Sequence, residues 1–197
     1  MELVSIQTLI SQGDYRATPD KFFAGFRNAW ETVRCQALKL ETRQVYIEPD
    51  NPSWLALTAG DWDGALKALE KSRQVDDGLY SDLRQHGIDF VRCRPIVFPP
   101  TDYLRWEYQV YKRNAEQGER IFCLNRAILA ELFDTVATHD FMVFDTRLAC
   151  VHDYDAEGLI QGGWWLDDPA AIKALVAIHG IVKANSQPFE RYAESLA

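Results

Sequence analysis

Apolar residues recur at helical spacing early in the chain and at strand spacing toward its end. In "TPDKFFAGFRNAWETVRCQALKLET", Phe22, Phe26, Trp30, Val33, Ala37 and Leu40 fall three and four residues apart, one stripe of a helix, so the first forty residues read as helical. Thr18 before Pro19 supplies a start signal. "RQVYIEP" follows as a short strand or extended piece. In "DNPSWLALTAGDWDGALKALEKSRQ", Asn51 can cap a helix opened by Pro52 and ended by Gly60, and Asp61 can cap a second helix running to about Ser72. "DGLYSDLRQHG" reads as a further short helix closed by Gly87.

"IDFVRCRPIVF" is the first clear strand, and Pro95 inside it predicts an edge position or a bulge. "TDYLRWEYQVYKRNAEQG" is the best helix of the chain: Thr101 or Asp102 caps it, Lys112 and Arg113 lie toward its negative end, and Gly118 stops it. Leu104, Tyr108 and Tyr111 share one of its faces. After a strand at "RIFCLN" and a short helix at "RAILAELFDTVA" come three apolar runs, "FMVFD", "RLACVHDY" and "LIQGGWW". Their connections are too short for crossover helices, so they should pair as an antiparallel meander. Asp167 caps and Pro169 or Asp168 opens a last helix whose core-facing residues are Ala171, Leu175 and Ile178. The expected fold class is α/β (α+β): a mixed sheet with a C-terminal antiparallel meander, flanked by helices, with an N-terminal helical extension. Residues 1–48 would form the arm and first extended segment, and residues 49–197 the main domain, together one compact unit.

A chain of 197 residues can bury roughly 70% of its unfolded surface, so a core forms without disulfide or metal staples. The net charge of -8 works against a phosphate backbone, which needs a basic face, and argues against direct nucleic-acid binding. "MELVSIQTLISQGDYR" has no positively charged leader, and no uncharged run approaches the roughly 20 residues of a membrane span, which points to a cytoplasmic protein with no membrane contact. Cys35, Cys93, Cys123 and Cys150 are far apart and lack paired-ligand spacing. They are expected as reduced thiols, with no metal and no cofactor.

Three stretches could carry chemistry. In "HDYDAEG", Asp153, Asp155, Glu157 and Gly158 match the opening of a calcium loop, but its twelfth position is Trp164, where a bidentate carboxylate is required. A hairpin corner between two strands uses the same Asp and Gly residues and is the better reading, with His152 on the strand before it. In "FVRCRPI", strand alternation puts Phe90, Arg92, Arg94 and Ile96 on one face, and two guanidinium groups there need partners. Those partners are either carboxylates, Glu107 or Asp145, or an anionic ligand held by the planar fork. "TDYLRWEYQVY" places Tyr103, Trp106 and Glu107 on one helix, where an aromatic stripe is more often core than cofactor site. In "GGWWLDD", Trp164 and Trp165 point to opposite sides. No histidine begins the His-any-Lys pattern of phospholipase D-type phosphodiesterases, there is no Gly-rich phosphate loop, and no serine sits in a nucleophile elbow.

The ordered set "AWETVRCQALKLETRQVY", "VRCRPIVFPPTDYLRWEYQVYKRNAEQGERI", "DFMVFDTRLACVHDYDAEG" and "DDPAAI...PFERY" resembles an uncharacterised actinobacterial family, domain of unknown function 6879, often encoded beside helix-turn-helix regulators. The resemblance runs from about Phe26 to Tyr192. It implies an α/β plan distantly similar to the phospholipase D-like group without its catalytic motif, and it brings no catalytic residues with it. "NPSWLALTAGDWDGALKALEKSRQ" is longer than the family's usual middle, which suggests a member recruited to a biosynthetic pathway. The expected function is therefore a non-catalytic regulatory or ligand-sensing protein acting through a protein partner such as a transcriptional regulator, or binding a small anionic molecule. The alternative is an enzyme of specialised metabolism. In either case the ligand-facing residues would be Arg92, Arg94, Tyr103, Trp106, Glu107, Asp145 and His152.

Overall fold

The computed structural model describes residues 5–133 and 139–194, without the side chains of residues 73–76 and of residues 193 and 194. Helix α1 (Ile6–Ile10) leads into a short strand β1 (Asp14–Arg16) and then helix α2 (Pro19–Thr32). Thr18 caps α2 with its side chain, and Pro19 occupies the first turn, where its missing N–H costs nothing. The helix stops at Thr32, and Gln36–Leu40 forms strand β2. This corrects the reading of the first forty residues as helical. Ala37 packs beside α2, while Leu38 and Leu40 point to the opposite face. A strand buried on both faces is a nearly continuous apolar run, and its residues can mimic helical spacing.

Helix α3 (Pro52–Thr58) is capped by Asn51, and Gly60 turns the corner at φ +78°. Asp61 then caps helix α4 (Trp62–His86). The two helices expected over 61–72 and 77–86 are thus one continuous helix of 25 residues, ended by Gly87 in the left-handed region at φ +64°. Strand β3 (Asp89–Ile96), helix α5 (Asp102–Glu116, capped by Thr101), strand β4 (Arg120–Asn125) and helix α6 (Arg126–Leu132) follow. The end of the helix expected at "RAILAELFDTVA", residues 134–137, lies outside the described residues. Strands β5 (Phe141–Phe144), β6 (Leu148–Tyr154) and β7 (Ile160–Leu166) come next, then helix α7 (Pro169–Ala184), strand β8 (Gln187–Pro188) and helix α8 (Phe189–Glu194). The cap of α7 is Asp168, whose carboxylate accepts from the Ala171 N–H at 2.7 Å, rather than Asp167.

The strands form one mixed sheet in the order β1-β7-β6-β5-β2-β3-β4-β8. β2, β3 and β4 are parallel, and β5, β6 and β7 run antiparallel beside them as the meander. The stretch 1–48 therefore supplies both an edge strand and a central strand of this sheet. Pro95 lies in a central strand rather than at an edge, but the β2–β3 ladder ends at Leu40 and Cys93. Past that point the free edge of β3 meets the 41–46 segment, where the Gln44 side-chain amide donates to the Pro95 carbonyl at 2.9 Å. No ladder N–H is missing there.

The faces of the sheet differ in chemistry. α1, α6 and α7 bury an apolar layer that includes Leu38, Leu40, Val91, Val143, Val151 and Leu175. α2, α4 and α5 cover the other face. Under α2 and α4 it is aromatic, with Phe22, Phe90, Phe144 and Trp165. α2 lies so close that a Cβ on Gly25 would come within 2.4 Å of the Trp165 ring. Under α5 the same face is charged.

Candidate functional site

Alternation along the strands builds the site. Lys39 and Glu41 at the end of β2, Arg92 and Arg94 on β3, and His152 on β6 project to the face covered by α2 and α5, where the His152 ring packs on Phe22 and Phe26 of α2, while Leu38, Leu40, Val91, Cys93 and Val151 project toward α7. α5 replies with Tyr103, Trp106, Glu107, Tyr111 and Asn114, all buried.

The charges pair with one another. Arg94, fully buried, donates through Nε and Nη2 to Glu107 Oε2 at 3.1 and 2.7 Å, and through Nη1 to the carbonyls of Glu41 and Arg43. Arg92 donates to Glu119 through Nε at 2.5 Å and to Glu41 through Nη1 at 2.6 Å. Lys39 Nζ lies 2.6 Å from the other oxygen of Glu41, Oε1, while the Tyr111 hydroxyl donates at 2.9 Å to Oε2, the oxygen that Arg92 holds. Tyr80 donates to Glu119 at 2.5 Å. Asp140 accepts from the Thr42 N–H and hydroxyl and from the Tyr46 hydroxyl. The buried carboxylates and guanidinium groups of this floor have thus found partners, as burial demands.

Their titration follows from this arrangement. Burial alone would raise the Glu41 carboxyl, but Arg92, Lys39 and Arg94 outweigh it and hold the group well below the usual range. Glu107 is raised instead, because burial exceeds what Arg94 returns and the Glu41 charge adds to the penalty. Burial pushes the His152 imidazole down to about 4, only partly offset by Asp140. The ring is therefore neutral near pH 7. Its Nδ1 faces the Asp140 carbonyl at 3.3 Å, an acceptor only, so Nδ1 carries the proton and Nε2 is a bare acceptor.

Over this floor lies a cleft of about 630 Å³, within the range of small-molecule sites. Arg92, Tyr103, Trp106, Glu107 and His152 line it, five of the seven residues expected from the sequence. Arg94 sits beneath it as the support of Glu107. Asp145 belongs elsewhere: it turns the corner between β5 and β6 at φ +54°. Its carboxylate accepts from the backbone N–H groups of Arg34, Cys35 and Gln36 at 2.9, 2.8 and 3.0 Å, fixing the start of β2. Those three bonds outweigh partial burial and lower its carboxyl. Replacing Asp145 with Ala is expected to cost about 1–3 kcal/mol in chemical denaturation, because three backbone donors lose their acceptor, while leaving any cleft-bound ligand unaffected.

The sequence reading missed Lys39, Glu41, Tyr46, Tyr154 and Asn114, which also line the cleft. Lys39 and Glu41 fell within or beside a run read as helix. Asn114 lies three positions beyond Tyr111, and spacing from the α5 face could have found it.

The "HDYDAEG" stretch forms the β6–β7 corner. Asp155 Oδ1 accepts from the N–H groups of Gly158 and Leu159, both at 2.8 Å, and Gly158 takes φ +103°, which a side chain would resist. Among the described residues, no group of three or more His, Cys, Asp or Glu is placed to hold a metal ion, and no helix is long and apolar enough to cross a membrane. Trp165 packs into the core beside α2, and Trp164 packs against the α7 side, outside the cleft.

A family model described as a domain of unknown function, DUF6879, matches residues 24–194. No curated protein matches. Among solved structures, TrmBL2, an archaeal chromatin protein with a novel mode of DNA binding, superposes with a TM-score of 0.46 at 10% identity, over 89% of this chain and 54% of that chain. The chain thus spans about half the length of that neighbour, and the likeness is too loose to bear on function.

Proposed function

We propose that this chain, which belongs to the DUF6879 family, is a non-catalytic ligand-sensing protein of the cytoplasm that reports the occupancy of its cleft to a protein partner such as a transcriptional regulator. The observation that carries this reading is the cleft over a floor of mutually paired charges. Such a floor is rigid and already satisfied, which suits selective binding more than bond-making. A second groove of about 740 Å³ favours a partner surface nearby. It is walled by Trp54, Leu57 and Trp62 and shares Ile47 and Tyr103 with the cleft. Val45 and Trp62 stand 41% and 38% exposed around it. Tyr103, tied to Glu48 at 2.5 Å, is the wall through which one side would feel the other.

Hydrogen exchange with and without a bound compound tests this. Occupancy should slow exchange in α5 and also in α3, across the shared wall. Protection confined to the cleft would remove the sensing role. Turnover of the compound, abolished by Glu107→Gln, would instead support the alternative of an enzyme of specialised metabolism. That second reading draws on one specific observation: a carboxyl raised and an imidazole lowered line the same cleft, as in paired acid and base catalysts.

A further inference from the structure

A smaller cavity of about 370 Å³ shares no lining residue with the cleft. It lies at the carboxyl ends of the parallel strands, the end of an open α/β sheet where ligands generally bind. Three stretches wall it: residues 42–45 after β2, Arg126 after β4, and Ala156 and Glu157 at the tip of the β6–β7 corner. Backbone pairing and hydrogen bonds draw them together. Asn125 pairs with Ile96 at the end of β3, and the next residue, Val97, donates its N–H to Gln44 Oε1 at 2.8 Å, so Arg126 and the 42–45 segment flank the same strand end. On the other side, Arg43 Nη2 donates to the Ala156 carbonyl at 3.1 Å, and the Ile47 N–H donates to the Gly158 carbonyl at 3.1 Å.

Two guanidinium groups line this cavity, and unlike Arg92 and Arg94 neither has a carboxylate partner among the described residues. Arg43 is held in place. Its guanidinium lies 5.4 Å over the Tyr154 ring, a Cβ on Gly158 would come within 3.2 Å of its Nε and Nη2, and Arg94 donates to its carbonyl. Its Nε is sealed and unbonded, while Nη1 makes no bond and stays open to solvent. Arg126, partly buried, makes no hydrogen bond or ion pair among the described residues. The other side-chain donors of the lining are spent: the Thr42 hydroxyl on Asp140, and the Gln44 amide on the Thr42 and Pro95 carbonyls. Glu157 is the acid of the lining, exposed and bonded to neither arginine. The cavity is therefore locally cationic in a chain of net charge -8. Distant carboxylates are screened over about 8 Å at physiological ionic strength, so the two arginines decide what enters.

We infer that this cavity binds a phosphate monoester, its phosphate oxygens accepting from Arg43 Nη1 and from the Arg126 guanidinium, and its organic body lying along Val45 and Ala156. A dianion meets two cations here, which a singly charged carboxylate matches less well. The site is separate from the cleft and stands whether or not the cleft holds a ligand.

The test is titration of the full chain with phenyl phosphate, benzoate and phenol at fixed ionic strength in chloride, followed by heteronuclear NMR. Phenyl phosphate should bind with a Kd below about 1 mM, at least about tenfold tighter than phenol and several-fold tighter than benzoate, and should shift the backbone signals of residues 42–45, 126, 156 and 157. Arg126→Leu, a change at a partly exposed side chain without partners, should weaken phenyl phosphate at least about tenfold, and Arg126→Lys less, since it keeps the charge and loses the fork. Glu157→Gln should tighten it several-fold. Benzoate bound as tightly as phenyl phosphate overturns the inference, as does a Kd for phenyl phosphate above about 1 mM. Affinity unchanged in Arg126→Leu also overturns it, and loss of that affinity in Lys39→Met would then place the anion in the cleft.

Discussion

Arg94→Ala is expected to cost about 3–5 kcal/mol of folding stability, a large share of what a domain of this size possesses. Truncation leaves Glu107 buried without its guanidinium, so that the carboxyl must either keep an unpaired charge or take up a proton, and it strips the Glu41 and Arg43 carbonyls of their donor. The ion pair itself need not be strongly stabilising, because two charges removed from water regain little more than their desolvation. Breaking one side is what costs. Arg94→Met combined with Glu107→Gln should therefore be more stable than Arg94→Ala alone, since no charge is stranded. Arg94→Lys should fall between, because one ammonium cannot reproduce a fork that reaches a carboxylate and two carbonyls together. Urea denaturation of the four proteins decides it. A loss below about 1 kcal/mol for Arg94→Ala would mean that water already reaches Glu107, and the preorganised floor would no longer be tenable.

Much of this arrangement is legible in the sequence where local chemistry rules. Asn51, Asp61 and Thr101 cap the helices their positions suggest, because a cap needs only its own next three residues. The meander follows from short connections, and the pairing of Arg94 with Glu107 from strand alternation followed by the next helix. What fails is non-local. β2 is sandwiched between β3 and β5, and both of its neighbours must be known before its apolar run can be told from a helix. Missing β2 also hides Lys39 and Glu41. The break expected between Ser72 and Asp77 is absent for a milder reason: no proline interrupts α4, and Gly78 inside it weakens a helix by about 1 kcal/mol without ending it. Asp145, the aspartate expected at the site, and Asp140, the one found there, flank opposite ends of one short strand. The strand rises about 3.3 Å per residue, so the two are separated by roughly 16 Å. Only the register, which sets the His152 N–H on the Asp140 carbonyl at 2.9 Å, identifies the aspartate that belongs to the site.

The same burial makes the fold acid-sensitive well above the range where carboxylates titrate. His152 and His179 are buried and both lowered from 6.5 to about 4, chiefly because burial disfavours the imidazolium. An unfolded chain takes up these protons near pH 6.5 and the folded one only near pH 4, so the unfolded state binds more protons between the two values. Stability is complete above pH 6.5 and drains away as pH falls through that window, by about 2 kcal/mol per histidine on going from pH 7 to pH 5. Glu107 acts in the opposite sense, since a carboxyl raised in the folded state takes up its proton first there and returns part of the loss. Glu41 and Asp145, lowered by folding, join the destabilising side only as pH falls below the ordinary carboxylate range. Urea midpoints between pH 7.5 and pH 5 should therefore fall steeply. His179→Leu should flatten the fall by about half and raise the plateau, because the His179 Nε2 is buried without a hydrogen-bond partner and leucine has no such group to strand. His152→Leu should flatten the other half. A pH profile that stays steep in both variants would place the acid sensitivity in the carboxylates and show that neither imidazole is held neutral by burial.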